Sequence, residues 1–95
     1  MKHIKTLVEL ERMIKGEKES YNFNGLCFTL EKINNDMNGN PRYKVYFNFN
    51  DFQKILLTDS SKRGGRINKK DNSITLCIYD FSTDLGYILE SCGLI

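Results

Sequence analysis

SYNFNGLCFTLEKINN, Ser20 to Asn35, is the stretch from which the rest of the chain can be read. Tyr21, Phe23 and then Leu26, Phe28 and Leu30 fall on one side of an extended backbone, with Cys27, Thr29 and Glu31 on the other. Residues two apart share one face of a strand, so this is the pattern of a half-buried sheet. Asn24-Gly25 interrupts it between apolar neighbours. A type I′ turn needs positive φ at both central residues, and Asn-Gly tolerates that better than any other natural pair. The spacing predicts a tight hairpin with a short first arm.

Working toward the C-terminus, DMNGNPR (Asp36 to Arg42) is a second turn, and RYKVYFNFN (Arg42 to Asn50) a strand of high β-propensity. Tyr43, Val45, Phe47 and Phe49 lie on its inner side, and Lys44, Tyr46 and Asn48 on its outer side. Residues 51–58 read two ways. Asn50 as a cap with Phe52, Ile55 and Leu56 at helical spacing supports a helix; KILLT supports a strand, which is the favoured reading. RIN-KKDN-SITL then reads as a hairpin, and SITLCIYD (Ser73 to Asp80) as a strand apolar on both faces, hence interior to the sheet. FSTDLGYILESCGLI is a C-terminal helix with Ser82 as cap, Leu85, Ile88, Leu89 and Cys92 on one stripe, and Gly93 as its stop. Gly86 in its interior costs about 1 kcal/mol against Ala and implies close packing there.

Toward the N-terminus, Thr6 and Glu9 form a capping box ahead of a helix over about 7–15. Leu7, Val8, Leu10 and Ile14 make its stripe, Ile4 extends it, and Gly16 ends it. The expected order is α-β-β-β-(β)-β-α. This is an α+β, two-layer domain: an antiparallel sheet of four to five strands with the N- and C-terminal helices packed on one face. Ninety-five residues make a single domain, 1–95, without room for a deep substrate cleft.

Composition narrows the chemistry. Hydrophobic residues at 40% and charged residues at 27% argue for a folded chain rather than a disordered one. The longest apolar runs are too short to cross a membrane, and the charged N-terminus lacks the apolar stretch of a signal peptide. A cytoplasmic location is expected. Cys27, Cys77 and Cys92 are odd in number and widely spaced, as reduced structural thiols are. With His3 the single histidine, no zinc set can be assembled, and no metal or cofactor is expected. DMNGN alternates like a calcium loop, but its sixth position is Pro41 and its twelfth Phe47, where the motif needs Gly and an acid. Ser60, Ser61 and Ser82 have no neighbouring base in sequence, and no phosphate-binding glycine motif occurs. The inventory argues against an enzyme.

SSKRGGRINKKDN, Ser60 to Asn72, is the strongest candidate for a contact surface. Lys62, Arg63, Arg66, Lys69 and Lys70 stand against Asp59 and Asp71, a local +3 in a chain of net charge +2. From Asp80 onward there are three acids and no base, so the molecule has a basic edge and an acidic one. Lys44 and Tyr46 on the outer side of their strand could extend the basic surface, since Tyr buries area at low entropic cost. The bias toward Asn, Lys and Ile suits an AT-rich coding sequence. The profile fits a phage or plasmid accessory protein that binds and blocks a host protein or nucleoprotein, as anti-defence (anti-CRISPR-type) inhibitors do. The alternative is a nucleic-acid-binding module using the basic loop 62–70. A monomer or an edge-paired homodimer is expected, with no membrane partner.

Overall fold

In a computed structural model the described residues are 1–14, 18–57, 66–77 and 81–95. Among the described residues nine elements follow one another: β1 (Lys2–Ile4), α1 (Val8–Met13), β2 (Glu19–Phe23), β3 (Leu26–Ile33), β4 (Arg42–Tyr46), α2 (Phe49–Leu56), β5 (Arg66–Asn68), β6 (Ser73–Cys77) and α3 (Phe81–Ser91). The strands form one six-stranded mixed sheet in the order β1-β2-β3-β4-β6-β5. The α+β class holds, with corrections of detail.

The first correction is at the N-terminus. Lys2, His3 and Ile4 pair in parallel with Tyr21, Asn22 and Phe23, so the sheet is not purely antiparallel. Three residues are too few to show a period in sequence. What holds them is the crossover through α1, which returns the chain beside its own start, and Ile4, which is buried as a strand residue rather than on the helical stripe. His3 therefore sits in a paired strand with its side chain exposed. The helix itself is shorter than the expected 7–15. Leu7 is its cap residue, and the Thr6 hydroxyl makes no capping bond. Neither half of the box forms: the Glu9 carboxylate accepts from the Lys5 amide, at 3.4 Å, and not from that of Thr6. Val8, expected on the buried stripe, is exposed. Lys15 and Gly16 lie outside the described residues.

The second correction is α2, where a strand over 51–58 was favoured. Asn48, not Asn50, caps it. Its side-chain oxygen accepts from the Asp51 amide at 2.8 Å while its amide group donates to the Asp51 carboxylate at 3.0 Å. That reciprocal pair at the cap and third helical positions satisfies the Asp51 amide, one of the donors a helix start leaves without a backbone partner. Phe52 and Ile55, three apart, are buried, whereas Phe49 stands 64% exposed instead of continuing the inner face of β4.

The remaining turns follow the sequence. Asn24 and Gly25 have φ of 51° and 91°, closing β2 onto β3 with Phe23 opposite Leu26. Lys69 to Asn72 connect β5 and β6, with Asn68 opposite Ser73 and Asn72 at φ 55°. β6 lies between β4 and β5, interior as expected; Ile78 and Tyr79 lie outside the described residues. α3 ends on Gly93 at φ 79°, where the Leu94 amide donates back to the Leu89 carbonyl at 2.9 Å.

Tyr21, Phe28, Leu30, Tyr43, Val45, Ile74 and Leu76 from one side of the sheet join Leu10, Phe52, Ile55, Phe81, Leu85, Ile88 and Leu89 from the helices in a single core. Register brings Leu30, Val45 and Ile74 into one row across three strands. The close approach implied by Gly86 is to α1: a Cβ there would meet Leu7 Cδ1 at 3.4 Å. Ser82 lies inside α3 rather than at its cap, and its amide and hydroxyl both donate to Glu11 Oε1, at 3.3 and 2.7 Å. A carboxylate of α1 thus closes the N-terminal end of α3, where orphan amides attract negative charge.

Candidate contact surface

With Tyr21, Phe23, Leu26, Phe28, Leu30, Tyr43 and Val45 turned inward, alternation places Ser20, Asn22, Cys27, Thr29, Glu31, Ile33, Lys44 and Tyr46 on the opposite side, half-buried or exposed. Register orders them in rows: Ser20, Thr29, Tyr46, Ser73 and Asn68 in one, and Glu31, Lys44, Thr75 and Arg66 in the next.

Tyr46 is the centre of this side. Its hydroxyl donates to Glu31 at 2.7 Å. The Lys18 ammonium stands 4.3 Å from its ring centroid and the Lys44 ammonium 5.6 Å. Cations over an aromatic face are attracted by its quadrupole. Burial, with the Glu31 hydrogen bond and charge added, pushes the phenol up to about 12. Lys44 is also bonded to Asp71 at 2.6 Å, and the Ser73 hydroxyl donates to the other oxygen of Asp71 at 2.6 Å. Burial alone would raise the Asp71 carboxyl, but the bonds from Lys44 and Ser73 outweigh it and hold it below the ordinary range. Asn68 completes the network by donating to Thr75 at 3.0 Å and Ser73 at 3.3 Å, which satisfies the two polar side chains that β6 buries. At one end of the face an open cleft of about 280 Å³ is lined by Met1, Ser20, Cys27, Thr29, Tyr46 and Asn48, with Phe28 and Phe47 behind them.

Of the residues expected at the contact surface, Lys44 and Tyr46 share this face and Arg66 stands at the outer end of the Lys44 row. Lys69 and Lys70 are exposed in the β5–β6 turn. Among the described residues their side chains make no ion pair. Asp71, from the same turn, joins it to the face through Lys44. Lys62 and Arg63 lie outside the described residues. The basic stretch and the tyrosine face, two separate features in sequence, are linked by one ion pair.

Lys18, Glu31 and Asp71 were not singled out. A signal for Glu31 existed: with the turn at Asn38-Gly39 accepted, pairing sets Glu31 opposite Lys44 and diagonal to Tyr46. Lys18 carried none, because a residue before a strand has no period to place it. The thiols are free, as expected, though half-buried: Cys27 lies 3.6 Å from Met1 Sδ, and Cys77 donates toward Asp36 at 3.7 Å. The DMNGN segment is a turn held by Asp36, whose Oδ1 accepts from the amides of Asn38 and Asn40, both at 2.8 Å. The Asn40 backbone bond, helped by the others, holds the Asp36 carboxyl low. Among the described residues no set of three or more His, Cys, Asp or Glu side chains is placed to hold a metal. No described helix is long and apolar enough to cross a membrane.

Comparison with protein-family models, curated proteins and solved structures found no match to this chain.

Proposed function

We propose that the chain is a small non-enzymatic binding protein that docks through the outer side of β2, β3 and β4. The observation that supports this most is Tyr46, a half-exposed aromatic held on rigid strands by Glu31 and flanked by two ammonium groups. Aromatic and basic side chains fixed before association lose little entropy on binding, and such residues dominate interface energetics. A cytoplasmic inhibitor carried by a phage or plasmid, covering a working surface of a host protein or nucleoprotein in the anti-CRISPR manner, is the role this profile suits. Tagged protein should capture a partner from lysate of the source cell. The Tyr46→Ala and Lys44→Ala variants should lose most of that capture, while Met37→Ala, altered at an exposed turn away from the face, should keep it. Equal capture by all four proteins would remove the reading.

A second reading is favoured by one observation: Lys69 and Lys70 are exposed and without ion-pair partners among the described residues. Unpaired lysines gain most from phosphates, by releasing counterions. Direct nucleic-acid binding through 62–70 would appear as a gel shift that collapses between low and physiological salt. No shift at low salt would exclude it.

A further inference from the structure

We propose that Asn38, in the turn between β3 and β4, is a site of spontaneous modification whose pace is set by Asp36. The reaction is intramolecular. The Gly39 amide nitrogen attacks Asn38 Cγ, a succinimide ring closes, and the nitrogen's proton leaves with the side-chain amide group as ammonia. Water then opens the ring at one of its two carbonyls, giving isoaspartate or aspartate. An amide becomes a carboxylate, and the step needs no co-reactant but water.

The chain holds two Asn-Gly pairs, Asn24-Gly25 and Asn38-Gly39, and a glycine in second place leaves the attacking nitrogen unshielded. Both pairs are exposed, and backbone geometry separates them. Asn24 has φ 51°, in the left-handed region. There a ψ of about +47° sets the next amide nitrogen anti to Cβ, as far from Cγ as it can stand. The hairpin pins it in place: Phe23 and Leu26 on either side pair directly, and the ladder runs on to Glu19 and Leu30. Asn38 has negative φ, and from either ordinary basin the Gly39 nitrogen needs a smaller rotation to reach Cγ. Its turn also lies outside the ladder, whose last pair is Ile33 with Arg42. Every hydrogen bond within residues 36–40 has Asp36 as one partner. Its carboxylate accepts from the Asn38 and Asn40 amides, its carbonyl from the Gly39 amide at 3.1 Å, and its own amide donates to the Asn40 carbonyl at 2.9 Å. Exposed turns open locally at less cost than paired strands, so Asp36 governs how often the Gly39 amide is freed.

The full chain would be held in warm, mildly alkaline buffer and sampled by peptide mapping with mass spectrometry. Labelling by an isoaspartyl methyltransferase tells isoaspartate from aspartate. Asn38 should be lost about tenfold faster than Asn24, the ratio that a gap of about 1.4 kcal/mol in opening free energy produces. Asp36→Ala should speed the loss at Asn38 severalfold and leave Asn24 unchanged; Asp36→Ser serves the same purpose if that variant fails to fold. In urea, with both turns gone, the two asparagines should react at closely similar rates. Asn24 reacting as fast as Asn38 in the folded chain, no modification at either, or the same inequality persisting in urea would each overturn the proposal. A folded Asp36 variant that reacts at the parent rate would overturn the part given to Asp36.

Discussion

Tyr46 is held from three directions, and the Glu31 bond is the part that can be weighed in isolation. Removing the hydroxyl leaves the ring and both cations in place, so Tyr46→Phe should cost about 1 kcal/mol, the usual net worth of a hydrogen bond. Glu31→Gln should cost less. The double variant should then lose less than the sum, because each change removes the same contact. Additive losses in a urea-unfolding cycle would mean that the bond contributes nothing in solution. The Lys44–Asp71 pair carries a different expectation. Its side chains remain 25% and 35% exposed, so water and salt screen it, and Lys44→Ala should lower stability by no more than about 1 kcal/mol.

At the scale of the element, α2 and α3 expose what sequence patterns can and cannot show. Asn48→Ala removes both bonds to Asp51 and should destabilise the chain by about 1 kcal/mol, the cost of a lost helix cap. In a chain of this size that is roughly 4–8 °C in Tm, readable by circular dichroism. Asn50→Ala, at the cap position suggested by sequence, should change little. Gly86→Ala has the opposite sign. The new methyl would meet Leu7 at ordinary van der Waals distance, so the ~1 kcal/mol of helix propensity should be gained nearly in full. A fall in Tm would show that Leu7 cannot yield. Both hairpins were legible because Asn-Gly and Lys-Lys-Asp-Asn carry their own backbone preferences. The β1 strand was not, since its three residues are held by parallel partners that lie nineteen positions away. α2 was missed because KILLT suits both structures locally, and the deciding donor, Asn48, belonged to what looked like strand alternation. Lys44 and Tyr46 could be placed on the open face from their period alone. Of their partners only Glu31 followed from strand pairing; Lys18 and Asp71 did not, because they arrive from outside the strands.

Across the whole molecule, two tyrosines at opposite ends of the β2-β3-β4 ladder couple stability to alkaline pH. Tyr21 donates to Glu19 at 2.8 Å from the core side, and Tyr46 donates to Glu31 from the open side. Burial first, then the carboxylate partner, pushes each phenol from 10.0 up to about 12. The folded chain thus holds these protons more tightly than the unfolded one. Below pH 10 both states keep them, and the stability is fully present. Between about pH 10 and 12 the unfolded chain ionises while the folded chain does not, so stability falls across that window. Burial raises the Tyr43 phenol as well, so the contribution of Tyr21 and Tyr46 must be separated from it. Tyr21→Phe/Tyr46→Phe does this: its baseline stability should be lower, but its Tm should decline less steeply through the window than that of the parent. Tyrosinate absorbance supplies the independent check, since both phenols should ionise late in the folded chain and together with the rest once urea unfolds it. Parallel Tm curves for the two proteins would leave the two phenol–carboxylate bonds without a role in the alkaline loss.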